Sequence, residues 1–414
     1  MKRLLVIFVD AFRYDYLSQE KTPFLYTMAK NGLCAPLRTI LGYSDAIDAT
    51  IFTGVYPQDH GYWIRYKYSP ESSPLKIFKA LRFIDYFPSS FLVRGFKFVL
   101  SATVCKILAR TRGYSELSTQ NIPFSVIGFF DWSLKKSMLE PNVFSDFPTV
   151  FDILRKNKIK YFYTDCSKLG LVARFGSSVR ARDRLTQKLD EIEPDTQLIF
   201  VYLHQLDNFA HRYRIDSNKF LVELNHMDRT IKLVVTKLRQ RFDDDFNTFI
   251  FSDHGMANTN EFINLKLFTR DGGFGKDYLF CSDSTMIRLW YLNPDKRQEV
   301  QKRFNSLGYG HFLSLEEKKV LKINFNHRYY GDDIYLLNTG YSIFPNFFSW
   351  LKPHAMHAYH PEDKTQLGIA LLQGSGLKFQ TKSPVETVDL APTILDMLGL
   401  DIPTNYKGKS LIKH

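Results

Sequence analysis

Cysteine is scarce in this chain. Four residues, Cys34, Cys105, Cys166 and Cys281, are spread through 414 positions with no CxxC pair among them. That spacing excludes a zinc ribbon and a disulfide framework, and a reducing compartment is the simpler expectation. Long apolar runs are also lacking, so no segment reads as a membrane span. Met1-Lys2-Arg3 followed by Leu4–Val9 imitates the start of a secretory leader. The run is short, however, and ends in Asp10 without a small-residue cleavage site, so a buried strand is the better reading. No glycine-rich phosphate loop of the Walker type occurs. Acids are outnumbered, 43 against 55 Lys and Arg, which leaves a formal charge of +12 and favours anionic partners. A cytoplasmic location, with a peripheral membrane contact as an option, follows as an expectation.

Aromatic residues are abundant, with 36 Phe and 23 Tyr. Apolar runs at 4–9, 160–164, 197–203, 248–252 and 367–372 read as strands. They alternate with helical patterns at 22–31, 151–157, 217–242 and 390–398. Phe220, Leu221, Leu224, Met227, Ile231, Leu233, Val234 and Leu238 fall largely on one stripe of the 217–242 helix. This alternation predicts an α/β fold with a mostly parallel central sheet and helices on both faces. The core is expected in three parts: residues 1–71, 146–270 and 351–414. Residues 72–145 read as an aromatic and basic insertion that caps the core, and 271–350 as a smaller insertion. Within 72–113 eight basic side chains (Lys76, Lys79, Arg82, Arg94, Lys97, Lys106, Arg110 and Arg112) face one acid, Asp85. Apolar clusters at 91–93, Phe96 and 98–100 interleave with Arg94 and Lys97. A helix lying on an anionic membrane would show this pattern; so would a cap whose aromatics pack inward.

The chemistry-bearing residues stand where strands should end, which is the ligand-binding edge of an open α/β sheet. Asp10 follows the first strand, Asp207 follows 197–203, and Asp253-His254 follow 248–252. Singly, an acid at such a place is more often a helix cap or a solvated loop residue. Asp207 and His211, four apart, would share a helix face. Gly255 suits a tight turn that presents Asp253 and His254. His357 lies between His354 and His360, either of which could replace it. As a set, Asp10, Asp207, His211, Asp253, His254 and His357 supply three carboxylates and three imidazoles. Two divalent ions need about that many ligands. Thr50 and Thr53 read as helix-packing hydroxyls and His60 as structural. His204, His226, His311 and His327 read as ordinary.

These residues carry a resemblance. Val9-Asp10-Ala11-Phe12-Arg13, Thr22-Pro23-Phe24-Leu25, Ser44, and Thr50 through Gly61 resemble the nucleotide pyrophosphatase/phosphodiesterase (type I phosphodiesterase) family of the alkaline phosphatase superfamily. Asp207 to His211, Ser252 to Met256, Met356 to Tyr359 and Val388 to Leu395 continue the match in the family's order. The resemblance implies that Asp207, His211 and His357 hold one metal ion. Asp10, Asp253 and His254 hold the other, and Ser44 is the metal-bound nucleophile that forms a phosphoseryl intermediate. It implies two divalent ions, zinc first and manganese as the alternative. The partner is a small phosphate ester or a lipid-linked phosphate, with no nucleic acid expected. Alanine follows Asp10 and His357 where the family commonly has glycine. Arg65 falls at the position of the asparagine that holds a non-bridging phosphate oxygen, and a guanidinium there suits a dianionic phosphate as well as a diester. No Cys/Ser-x-Pro-x-Arg run is present, which disfavours the sulfatase branch. A phosphomonoesterase, a phosphomutase or a non-catalytic basic membrane-binding protein on the same scaffold are the alternatives.

Overall fold

The computed structural model describes residues 3–87, 91–242, 246–349, 351–375, 377–379 and 383–413. The chain divides into two compact units. The first combines residues 1–60, 144–258 and 354–414, and the second combines 61–143 and 259–353.

A seven-stranded sheet organises the first unit. Its strands are β1 (Arg3–Val9), β2 (Leu33–Arg38), β3 (Tyr161–Asp165), β4 (Leu198–Leu203), β5 (Phe246–Phe251), β6 (Gly368–Gln373) and β7 (Val385–Glu386), in the spatial order β7-β2-β6-β5-β1-β4-β3. The sheet is mostly parallel, as the alternation of elements predicts. The exception is β6, antiparallel to both β2 and β5. β1 lies inside the sheet, parallel to β4 on one side and β5 on the other. Its residues Leu4 to Val9 are all buried because both faces of the sheet are covered.

The two faces take different side chains, as the two-residue period of a strand requires. On one, Leu5, Ile7 and Val9 meet Phe220, Leu224, Met227, Ile231, Val234 and Leu238 of the Asn218–Phe242 helix. Leu221, expected on that stripe, is exposed instead, and Val235 is buried. On the other face the abundant aromatics interlock. Phe8 lies 4.7 Å from Tyr202 and 5.1 Å from Phe251 between ring centroids. Phe52, from the Ser44–Thr53 helix, packs on Phe151 and Phe200. This contact fixes the helix that Ser44 opens. The Pro23–Lys30 helix starts at a proline, and Asp228 accepts the N–H groups of Phe24 and Leu25 at 3.1 and 2.9 Å.

The second unit has its own core and its own antiparallel sheet, ordered Tyr278–Ser282, Met286–Tyr291, Asp333–Leu337, Gly310–Phe312. Arg288 is wholly buried there. It donates to Asp283 Oδ2 at 3.2 Å and to the Tyr66 carbonyl at 2.9 Å, so its charge is compensated. Among the described residues no helix is long and apolar enough to cross a membrane.

Candidate active site

The carboxyl ends of β1, β4 and β5, which are neighbours in the sheet, deliver side chains to one place. Asp10 follows β1 directly, and its N–H donates to Leu203 O at the end of β4. Asp207 and His211 are carried on the short Gln205–Arg212 helix that leaves β4. Asp253 and His254 follow β5. A two-residue ribbon completes the set by pairing Ala355–Met356 with Ala257–Asn258, which lays His357 beside His254. Of the three neighbouring histidines only His357 is buried; His354 is exposed and His360 accepts from Glu362 N–H at its rim.

Two overlapping groups of metal-competent atoms result. Asp10, Asp253 and His254 form one, and Asp207, His254 and His357 the other, each with ligand atoms within 4.8 Å of one another. His254 Nε2 lies 3.1 Å from Asp253 Oδ2 and 3.4 Å from Asp10 Oδ1. His211 Nε2 lies 3.1 Å from Asp207 Oδ1, and His357 Nε2 lies 3.9 Å from the same oxygen.

The surrounding bonds orient these groups. His254 Nδ1 pairs with Gly255 O at 2.8 Å and His211 Nδ1 with Ala355 O at 2.9 Å. A carbonyl only accepts, so each ring carries a proton on Nδ1 and turns its Nε2 inward. Asp253 Oδ1 takes the N–H groups of Ala11 and His254 at 3.3 and 3.0 Å, which leaves Oδ2 for the site. The Tyr202 hydroxyl donates to Asp10 Oδ2. Gly255 serves close approach rather than a left-handed turn. A Cβ there would stand 2.1 Å from Thr365 O.

The charge balance is unfavourable without a cation. Burial, then the charges of Asp253 and Asp207, raises the Asp10 carboxyl well above the usual range. Burial pushes Asp253 up to about 8 against its N–H donors, with the Asp207 charge adding to the rise. Burial and the His254 charge hold His357 well below an ordinary imidazole. For Asp207 burial is outweighed by His211, so the carboxylate is held low. For His211 burial is outweighed by Asp207, which leaves the imidazole at about 9. Asp10 Oδ1, Asp207 Oδ1, Asp253 Oδ2 and His254 Nε2 are buried with no hydrogen-bond partner. Orphaned oxygen and imidazole atoms in this number, converging from three strand ends, fit divalent cations by donor type and by charge.

Ser44 is the first residue of its helix, half-buried. The ring of the preceding Tyr43 meets that of His357 edge-on at 5.5 Å, which sets the helix start against the cluster. Asp48, one turn further on, is raised by burial and then by the charges of Asp253, Asp45 and Asp10. Sequence reasoning missed both Asp48 and Tyr202. The i,i+4 spacing from Ser44 would have revealed the first, once the helix was placed. Tyr202 carried a weak signal, a polar-tipped residue near the end of an apolar strand. Thr50 pairs with His60 at 3.4 Å and Thr53 donates to Ala49 O, both within the packing. Arg65 belongs to the second unit, half-buried, with its guanidinium 5.2 Å from the centroid of the Trp132 ring.

Buried acids and imidazoles at the carboxyl edge of a parallel sheet, beside a hydroxyl at a helix start, place the chain among α/β hydrolases of phosphoric esters. It belongs to the type I phosphodiesterase/nucleotide pyrophosphatase family, whose match runs over residues 4–323. The fold agrees with solved relatives. Murine ectonucleotide pyrophosphatase/phosphodiesterase 5, as an inactive variant in complex with AMP, is 16% identical with a TM-score of 0.68 over 100% of both chains. The same murine protein in a second structure gives 15% and 0.68, and its human counterpart 16% and 0.66, again over 100% of both chains.

Proposed function

We propose that this hydrolase cleaves phosphate diesters or diphosphates through Ser44, assisted by two divalent cations held by Asp10, Asp207, His211, Asp253, His254 and His357. The observation that carries the reading is the pair of overlapping ligand groups sharing His254, set against the helix that Ser44 opens. When bound, zinc, or manganese in its place, would supply Lewis acidity and the charge that makes a nearby hydroxyl ionise near neutral pH.

The chain's own residues do the rest. Ser44 Oγ forms a bond to phosphorus as the ester P–O bond breaks, and the leaving oxygen departs on the opposite side. Water then attacks phosphorus and the Oγ–P bond breaks, restoring Ser44. The N–H groups at the start of the Ser44–Thr53 helix favour the anionic phosphoryl group. His211 and His254, held by backbone carbonyls, keep their Nε2 atoms aimed inward, and Tyr202 steadies Asp10. A nucleotide-type ester is supported by the AMP bound to the murine relative.

The test is a substrate panel with zinc and manganese assayed separately. It sets bis-p-nitrophenyl phosphate against p-nitrophenyl phosphate, with nucleotides, sugar nucleotides and lipid-linked phosphates beside them. Diester or diphosphate turnover is expected to dominate, and Ser44→Ala to reduce it at least about 10³-fold. Full activity in Ser44→Ala, or in excess chelator, sinks the reading. Preferred monoester turnover makes the enzyme a phosphomonoesterase, and phosphoryl return to the substrate makes it a mutase.

A further inference from the structure

The Phe91–Arg112 helix of the second unit has two unlike faces. Inward, Ser101 and Cys105 are buried, and Val104 and Leu108 pack against the unit's core. Outward, Phe96, Val99, Thr103, Lys106, Ile107 and Arg110 recur at steps of three and four, so they form one stripe. All six are exposed. The Pro74–Tyr86 segment contributes Ile77 and Phe83, and Phe87 follows it. Ile77, Phe83, Phe87, Phe96, Val99 and Ile107 are each between 55% and 65% exposed. The side chains of Tyr86, Phe91, Leu92 and Arg94, and residues 88–90, lie outside the described ones.

Charge separates this face from an ordinary apolar patch. Lys106 and Arg110 stand on the stripe, and Lys76, Lys79 and Arg82 of the Pro74–Tyr86 segment are exposed as well. The stretch has one acid, Asp85, and it is already satisfied. Lys97 Nζ donates to Asp85 at 2.8 Å, and the N–H groups of Phe124 and Ser125 donate at 3.0 and 2.7 Å. The same ion pair clamps the helix to the Pro74–Tyr86 segment, so the anchors are presented by tied elements. Large exposed apolar side chains on a folded protein mark a surface that something covers.

We propose that this face rests on an anionic lipid bilayer, with the rings and branched chains in the interfacial layer and the cations on lipid phosphates. A second copy of the chain is the poorer occupant, because two faces of one sign would repel. The helix lies on the bilayer; it is too polar to cross one.

The experiment is co-sedimentation of the full chain with phosphatidylglycerol–phosphatidylcholine vesicles and with phosphatidylcholine alone, at low and high salt. The protein is expected to pellet with the anionic vesicles at low salt, less at high salt, and not with phosphatidylcholine. Phe96→Ser/Val99→Ser/Ile107→Ser is expected to lower partitioning at least about tenfold. Lys106→Glu/Arg110→Glu should do so by about fivefold per cation or more. Unchanged hydrolysis of a soluble ester shows that both variants fold. Failure of the unaltered chain to pellet overturns the proposal, as does equal binding by both variants. A dimer in sedimentation velocity that the serine variant dissolves, without vesicle binding, assigns the face to a second copy and overturns it equally.

Discussion

His254 and His357 stack face to face, their ring centroids 3.8 Å apart and their planes within 8°. Two imidazolium ions could not share that geometry without strong repulsion, and burial together with His254 keeps His357 uncharged. An uncharged His357 packed against His254 suits a pair of adjacent cation sites. The stack also places His254 in both ligand groups. His254 and His211 should therefore behave differently on removal. His254→Ala is expected to bring bound zinc from two ions per chain to below one, and His211→Ala to leave about one. Metal content by mass spectrometry after gel filtration decides it, and two ions retained by His254→Ala would contradict the sharing.

Tyr202 contacts no reacting atom in this arrangement. Its hydroxyl bonds Asp10 Oδ2 and leaves Oδ1 for the site. Tyr202→Phe removes that donor with little change of shape. Partners of this kind set the orientation and basicity of a ligand, so the affinity of the Asp10 site is expected to fall about 10- to 100-fold. A competition titration with a chromophoric chelator reads the change. Affinity equal to that of the unaltered chain removes Tyr202 from the site.

Metal-free protein should lose stability as pH rises from about 6.5 to 9. Asp253 is raised to about 8, so the folded state keeps a proton that the unfolded chain has already released, and stability falls as pH rises through 8 and stays lost above it. His211 is raised to about 9, so its stabilising charge is complete below about 6.5 and disappears as pH climbs through 9. Both effects have the same sign in this window, up to about 1.4 kcal/mol per pH unit for each proton the folded state retains. Below it, His357, held uncharged, acts in the opposite sense as the unfolded imidazole gains a proton. Melting curves should show a fall towards pH 9 without metal and a larger gain from added zinc at pH 9 than at 6.5. A flat metal-free profile would rule out these assignments.

Ala11 and Ala358 adopt φ of 59° and 63°, the left-handed region that L side chains disfavour. Each immediately follows a candidate ligand, Asp10 or His357. The strain is about 1–2 kcal/mol per residue, against about 0.5–1 kcal/mol of extra chain entropy that glycine brings. Ala11→Gly and Ala358→Gly are each expected to stabilise the protein by about 0.5–1 kcal/mol, measured by chemical denaturation in chelator. A loss of stability in both would mean that the methyl groups pack better than their backbones strain.

Much of this molecule is legible along the chain. The runs that become β1 and β4 are near-continuous apolar stretches because both sheet faces are covered, β5 is apolar apart from Asn247 and Thr248, and each is followed by a polar ligand candidate where the chain leaves the sheet. β2 is harder to see, since Pro36 lies within it and its outer neighbour β7 has only two residues. The reversed direction of β6 leaves no mark in hydrophobic periodicity, because a strand alternates identically either way. The stretches 72–145 and 271–350 read as separate interruptions. Their residues share one buried cluster, in which Phe124 and Phe130 meet Phe280 and Trp290.

Sequence alone determined β1, β3, β4, β5 and β6, the Pro23–Lys30, Val150–Lys156, Asn218–Phe242 and Leu390–Met397 helices, the six ligand candidates and the hydroxyl at Ser44, because apolar period, turn chemistry and motif order act over a few residues at a time. Tertiary structure alone decided which acid meets which imidazole. The ribbon of Ala257–Asn258 on Ala355–Met356 is two residues long on each side, too short to leave a pattern, yet it sets His357 on His254. Burial likewise belongs to the fold. Asp10, Asp48 and Asp253 are ordinary carboxylates on paper, and the water-excluding edge between β4, β1 and β5 is what leaves them short of positive charge.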